Sequence, residues 1–177
     1  MREHLETARL KLKPLGPEHA EVLYGVYSQP EVARFLVSRP ESWEDFLAIF
    51  NRALRFRESH GMWALFPREG EALIGRVGFF SFGEAERPEL AFLLSRCAWG
   101  QGFATEACAA ALAHAVRRYA WAEVVAIIRP GNTRAARVLE KLGFAPESDF
   151  VLNDGAARLY QASRERLDAC RPTSECS

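Results

Sequence analysis

The sequence predicts an α/β domain built around one mixed sheet, and three observations carry that prediction. Its 177 residues suit a single domain with its own hydrophobic core. Hydrophobic residues make up 49% and charged residues 26%, the balance of an ordinary globular chain and not of a disordered one. The hydrophobic period also switches repeatedly between two and about 3.6 along the chain, in the order β α α β β β α β α β β.

The elements follow in order. Ala8 to Leu15 alternates, with Leu10 and Leu12 on one face and Arg9, Lys11 and Lys13 on the other, which predicts a half-buried strand. Gly16-Pro17 breaks it, and Pro17 suits the first turn of a helix reaching about Tyr27. Pro30 and Pro40 punctuate a loop region. Ser42 and Asp45 have capping-box spacing, and Trp43, Phe46, Leu47, Phe50 and Leu54 recur at three- and four-residue steps behind them. Met62 to Phe66, Leu73 to Phe80 and Glu89 to Ser95 are apolar runs separated by turn residues, predicting three consecutive antiparallel strands.

After Gly100 and Gly102 comes an Ala-rich helix from about Phe103 to Tyr119. Glu123 to Arg129 is β-branched and reads as a strand. Asn132 caps a second helix with Ala135, Ala136, Leu139 and Leu142 on one side, and Gly143 stops it. Phe150 to Leu152 and Arg158 to Ala162, joined through Asn153-Asp154-Gly155, predict a closing hairpin. Residues beyond about Leu167 read as a loose tail.

Composition excludes several functions. Twenty-three basic residues balance twenty-three acidic ones, which argues against a nucleic-acid binder. No apolar run approaches the roughly 20 residues that span a bilayer, and Met1-Arg2-Glu3-His4 opens no signal core, so the expectation is a cytoplasmic protein away from membranes. Cys97, Cys108, Cys170 and Cys176 lack CxxC spacing, and His4, His19, His60 and His114 are dispersed. Neither a metal site nor a disulfide framework is expected.

The stretch Leu93-Leu94-Ser95-Arg96-Cys97-Ala98-Trp99-Gly100-Gln101-Gly102-Phe103-Ala104-Thr105 carries the most chemistry: a strand ends, a glycine turn follows, and a helix begins. The first turn of a helix leaves backbone N–H groups without partners, and glycine lets a ligand approach them. The turn can be an ordinary strand-to-helix connection. It can be a dinucleotide site, although Gly100-x-Gly102-x-x-Thr105 lacks the third glycine and lies after several strands. Or it can hold another pyrophosphate ligand, coenzyme A.

Trp99-Gly100-Gln101-Gly102-Phe103-Ala104-Thr105-Glu106-Ala107 resembles the acyl-CoA loop of the GNAT superfamily of N-acetyltransferases, in the form used by its RimJ/RimL-like ribosomal-protein branch. Arg129 to Phe144 is similar to that branch's second motif, and Ala8 to Leu15 with Tyr27 to Val32 resemble its opening strand and first helix–loop. The resemblance implies a single-domain fold over residues 7–165, with residues 166–177 as a tail. Its mixed, mostly antiparallel sheet would have about seven strands, splayed after the fourth, and about four helices. It implies acetyl-CoA as cosubstrate, no metal, and a primary amine as acceptor, either a protein N-terminal α-amine or a small molecule. Family members often pair, so a homodimer is an option.

Carried over to this chain, the resemblance implies that backbone groups of Leu93, Leu94 and Ser95 pair with the pantetheine arm. The N–H groups of Gly100, Gln101, Gly102, Phe103, Ala104 and Thr105 would hold the pyrophosphate, and Asn132 would hydrogen-bond the arm. Arg134 or Arg137 could reach a phosphate or be plain surface charge. Glu89, opening the fourth strand, stands where related enzymes keep a base glutamate, and an N–H near Leu93 or Leu94 would hold the oxyanion. Two departures stand out. Trp99 replaces the Gln or Arg common in the family, and Ala135 replaces a serine thought to act on the departing thiol. Tyr160 is a candidate substitute. Ala135 also keeps open a non-catalytic acyl-CoA-binding sensor. Trp43, Phe46, Phe50 and Phe56 read as core or as acceptor-pocket walls.

Overall fold

The computed structural model describes residues 3–152 and 155–169. One eight-stranded sheet runs in the order β1-β2-β3-β4-β5-β6-β8-β7. The strands are β1 (Leu5–Glu6), β2 (Leu10–Pro14), β3 (Met62–Pro67), β4 (Gly75–Phe82), β5 (Arg87–Leu94), β6 (Glu123–Ile128), β7 (Ala145–Leu152) and β8 (Gly155–Ser163). The helices are α1 (Ala20–Tyr27), α2 (Pro30–Ala33), α3 (Trp43–Ser59), α4 (Phe103–Arg118), α5 (Thr133–Lys141) and α6 (Arg164–Ala169). This is the expected α/β domain with a mixed, mostly antiparallel sheet.

The differences from expectation are local and have causes. Thr7 hydrogen-bonds Leu10 in both directions, N–H to carbonyl at 2.9 Å and Leu10 N–H to Oγ1 at 2.9 Å. That turn adds β1 as an eighth strand and starts β2 at Leu10 instead of Ala8. Pro30 does not sit in a loop but opens α2, whose four residues are too few to show a period. The residues expected as tail from 166 continue α6 to Ala169 with Leu167 buried. The Arg164 guanidinium closes the end of α4, donating to the carbonyls of Val116 at 2.8 Å and Tyr119 at 3.0 Å. The closing hairpin is longer than its apolar runs. Its turn residues Asn153 and Asp154, like Cys170 and Cys176, lie outside the described residues.

The alternation in β2 is realised as burial: Leu10 and Leu12 are buried while Lys13 is exposed. On that face lies α4, whose Ala107, Cys108 and Ala111 are buried against the sheet, small side chains that let the helix backbone come close. On the opposite face α1 and α3 cover β3 and β4. The Ser42 hydroxyl accepts from the Asp45 N–H at 3.1 Å and the Asp45 carboxylate from the Ser42 N–H at 3.1 Å, so the capping box starts α3 as its spacing predicts. Trp43, Phe46, Phe50 and Phe56 all pack into this second core.

What positions the site is the junction of β5 and β6. Among the described residues these two strands meet in parallel at one register pair, Glu89 with Val125. Beyond it β5 stays with β4 as far as Leu94, while β6 stays with β8 as far as Ile128. The sheet therefore splays after its fourth long strand.

Candidate active site

Hydrogen bonding in an antiparallel pair alternates along a strand. The Ser95 N–H donates to the Ile74 carbonyl at 2.8 Å and the Phe79 N–H donates across to Gly61 at 2.9 Å on the far side of β4. With Arg76 opposite Leu93, this parity spends the backbone groups of Ser95, Leu93 and Ala91 on β4. Those of Phe92 and Leu94 face the gap. The Leu94 carbonyl there accepts from the Trp99 indole N–H at 2.9 Å, which leaves the Leu94 N–H and both Phe92 groups open to it.

At the mouth of the gap the chain turns through Gly100 (φ 76°) and Gly102 (φ 80°) into α4. These left-handed angles suit glycine. No backbone acceptor among the described residues pairs with the N–H groups from Gly100 to Thr105; the first helical bond is Glu106 N–H to Gly102 carbonyl at 3.1 Å. The turn is clamped from the bend just before β2. Arg9 donates to Glu106 and, through Nη1, to the Gln101 carbonyl at 2.8 Å, with its guanidinium 4.9 Å from the centre of the Phe103 ring. Burial raises the Glu106 pKa, but donors from Thr7 and Arg9 outweigh it and hold the carboxylate below its ordinary range.

Two cavities share the gap. One, of about 440 Å³, runs from Leu93 and Leu94 past Gly100, Gly102 and Thr105 to α5. The other, of about 560 Å³, lies under α1 and α3 and reaches Glu89. Phe92, Leu93, Asn132 and Ala135 line both, so they adjoin. Asn132 caps α5 by accepting the Ala135 N–H on Oδ1 at 3.2 Å. Its amide nitrogen has no hydrogen-bond partner among the described residues, so capping leaves that donor over.

Glu89 sits across from Phe80 on the face of β5 that looks toward α3. Burial raises its carboxyl pKa to about 7, against the pull of Arg52 and Arg76 in the opposite direction. Its carboxylate accepts no hydrogen bond among the described residues, so it is poised to exchange a proton near neutrality. Arg76 reaches the same cavity from β4 and donates to the Tyr27 hydroxyl through Nε at 2.9 Å and Nη2 at 2.5 Å.

Most of the residues singled out from the sequence come together here. Leu93, Leu94, Gly100, Gly102, Phe103, Ala104, Thr105 and Asn132 line the first cavity, and Glu89 lines the second. Ser95 and Gln101 line neither. The Ser95 hydroxyl is held by Gln29, and the Gln101 side chain donates back to the Cys97 carbonyl at 2.9 Å. Tyr160 is buried in the core under α4 and reaches neither cavity, so it is not the expected substitute for the missing serine. Sequence reasoning missed Tyr27, Arg76 and Phe92. The first two meet only through the tertiary fold, 49 residues apart, whereas the strand parity that exposes Phe92 could have been read once the pairing was known. Among the described residues no His, Cys, Asp and Glu cluster could hold a metal ion, and no helix is long and apolar enough to cross a membrane.

Comparisons with known proteins point to one family and one fold. The profile of the acetyltransferase (GNAT) domain matches residues 9–145. The uncharacterized N-acetyltransferase p20 of Bacillus licheniformis is 28% identical over 170 residues, 93% of this chain and 91% of its own length. YoaA of Bacillus subtilis, also named an uncharacterized N-acetyltransferase, is 27% identical over 147 residues, 81% of this chain and 83% of its own. A structure described as a GnaT-family acetyltransferase from Bordetella pertussis superposes with a TM-score of 0.80 at 26% identity, covering 92% of this chain and all of the other. RimL, described as a ribosomal L7/L12 alpha-N-protein acetyltransferase in complex with coenzyme A, shares the fold with a TM-score of 0.73 at 16% identity, over 91% of this chain and 98% of its own. A glycine turn with unpaired amides, a sheet that splays beside it and a profile match across most of its length make this chain a member of the GNAT acetyltransferase family, an N-acetyltransferase.

Proposed function

We propose that the chain moves an acetyl group from acetyl-CoA, seated in the first cavity, to a primary amine seated in the second. The observation that carries this is the meeting of the two cavities at Phe92, Leu93, Asn132 and Ala135, with unpaired amides at one end and Glu89 at the other. The residues present fit the cosubstrate. The N–H groups from Gly100 to Thr105 would receive the pyrophosphate at the positive end of α4. The Phe92 carbonyl and the Leu94 N–H would pair with the pantetheine amides, in preference to Leu93 and Ser95, whose N–H groups are spent on β4. The Asn132 amide would donate to the same arm, and Arg134, 5.2 Å from the centre of the Trp99 ring, stands beside the entrance.

Transfer needs a neutral amine, a polarised carbonyl and relief of charge on sulfur. Glu89, with its pKa near 7, takes the proton from the amine directly or through a water. The gap-facing N–H of Phe92 is the donor available to an oxyanion. Ala135 supplies no hydroxyl to the leaving thiolate. Holding both reactants across one short gap contributes the rest through orientation.

The acceptor is a protein N-terminus, as in the RimL likeness, or a small amine; free Cys97 and Cys108 support action in a reducing cytoplasm. Ala135 favours a second reading, an acyl-CoA-binding sensor without turnover. Calorimetry with CoA and thiol release from acetyl-CoA across an amine panel test both. Binding with amine-dependent release supports the transferase. Tight binding without any amine-dependent release supports the sensor, and absence of binding overturns both.

A further inference from the structure

Arg76 is the most deeply buried cation of the second cavity, with a relative exposure of 8%. Its guanidinium is permanently charged and has five N–H donors. Nε and Nη2 converge on one neutral oxygen, the Tyr27 hydroxyl, and Nη1 meets only the Met62 sulfur at 3.8 Å. No carboxylate among the described residues forms an ion pair with it. Other arginines of the fold are matched: Arg87 with Glu123 and Glu147, Arg158 with Asp149, Arg9 with Glu106. The guanidinium also lies over the Tyr27 and Phe80 rings, 5.6 and 5.4 Å from their centres, and aromatic faces and a neutral hydroxyl leave a buried charge short of a hydrogen-bonded anion, which is costly.

The surroundings add a second positive group. Arg52, at the cavity rim on α3, gives one donor to the Ser81 carbonyl at 3.3 Å and rests 5.3 Å from the centre of the Phe80 ring. Glu89 is the carboxylate that lines this cavity, and one carboxylate does not balance two arginines. The cavity carries net positive charge whichever state Glu89 holds.

We propose that Arg76, supported by Arg52, binds an anionic group on the acceptor, so that the preferred amine carries a carboxylate. This rests on the acetyltransferase reading of the second cavity and names its substrate class. A guanidinium fork matches a carboxylate edge on. On the shared sheet face Glu89 stands opposite Phe80, four residues along β4 from Arg76. The amine is bound toward Glu89 and the carboxylate toward Arg76. The same two cations disfavour the protonated amine, and they repel polyamines and lysine-rich peptides.

The test measures kcat/KM for acetylation of glycine, β-alanine, 4-aminobutyrate and 6-aminohexanoate, each against its own amide. Alanyl-glutamate against alanyl-glutamine, both as C-terminal amides, separates an acidic peptide N-terminus from a free amino acid. At least one acid is expected to exceed its amide by about 10- to 100-fold, through KM. Arg76→Gln is expected to erase that preference and Arg76→Lys to restore part of it, with calorimetric affinity for CoA retained. Should either variant fail to fold, competitive inhibition of the wild type by glutarate but not by glutaramide carries the same information. If no amine turns over, glutarate raising Tm more than glutaramide upholds the proposal and equal shifts overturn it. Equal kcat/KM for acids and amides, or preference for a diamine, also overturns it while leaving the acetyltransferase reading intact. Loss of CoA binding would instead remove that reading.

Discussion

Arg9 grips Glu106 from 97 residues away, its backbone N–H on Oε1 at 2.8 Å, its Nε on Oε2 at 2.7 Å and its Nη2 on the same oxygen at 2.6 Å. The pair ties the turn before β2 to the first turn of α4, and Arg9 also holds the Gln101 carbonyl between the two glycines. The glycine turn is thus held by side chains from outside it.

Arg9→Ala should therefore loosen the turn while leaving the fold standing. Arg9 is half exposed, so the expected stability loss is about 1 kcal/mol, and the KM for acetyl-CoA should rise about fivefold. Glu106 has its pKa held down in the fold, so the contribution of the pair is present above the ordinary carboxylate value and fades as pH falls through the lowered one. Melting curves of wild type and variant should draw together as pH falls below the ordinary carboxylate range and converge once it is below the lowered Glu106 pKa. A gap that persists there would place the effect elsewhere.

Glu89 has the opposite sign. Its pKa of about 7 in the fold lies above that of an unfolded glutamate, so the native state binds the proton more tightly and stability falls as pH rises from about 4 toward 7. Glu89→Gln should match wild type in Tm near pH 4 and exceed it at pH 8. In turnover, the wild-type kcat should climb with an apparent pKa near 7. The variant should lose that limb and about 10²-fold in rate, with CoA affinity unchanged. An unaltered pH–rate profile would remove Glu89 from the reaction.

Gly100 and Gly102 share a left-handed backbone but not the same surroundings. A methyl group at Gly100 would meet open space, whereas one at Gly102 would come within 3.2 Å of Arg9 Nη2. Alanine at either position should cost about 1–2 kcal/mol of backbone strain. Gly102→Ala should raise the KM for acetyl-CoA further than Gly100→Ala, because it also displaces the Arg9 clamp. Equal effects on KM would mean that the clamp does not shape the turn.

Arg164→Ala is expected to lower stability by about 1–3 kcal/mol by uncapping the carbonyls of Val116 and Tyr119, without change in kcat or KM. Chemical denaturation beside a thiol-release assay separates the two quantities.

Much of this fold and of its first cavity was legible in the sequence, because it is encoded locally. Ser42 with Asp45, Asn132 with Ala135, and the two glycines before Phe103 are short-range patterns whose hydrogen bonds and dihedral angles follow from residue type. Less was legible of the second cavity. Tyr27 and Arg76 belong to α1 and β4, and no spacing rule joins a tyrosine to an arginine across a helix–sheet interface. Leu93 was singled out along with Leu94, yet which of the two faces the gap depends on strand parity, a property of the pairing with Arg76. The Arg164 anchor went unseen for the same reason: one arginine beyond a strand carries no pattern until α4 is in place.

The single bridge that joins β5 to β6 among the described residues, between Glu89 and Val125, has a consequence for the protein's lifetime. Past it β5 and β6 each carry an unsatisfied edge, the kind of surface that recruits stray strands from other molecules. If the pantetheine arm lies along β5 as proposed, the cosubstrate occupies that edge. At a hundred times its dissociation constant it would add about 2.7 kcal/mol to the folded state. Cells short of acetyl-CoA would then hold this enzyme in its most aggregation-prone form, coupling its abundance to the metabolite it consumes.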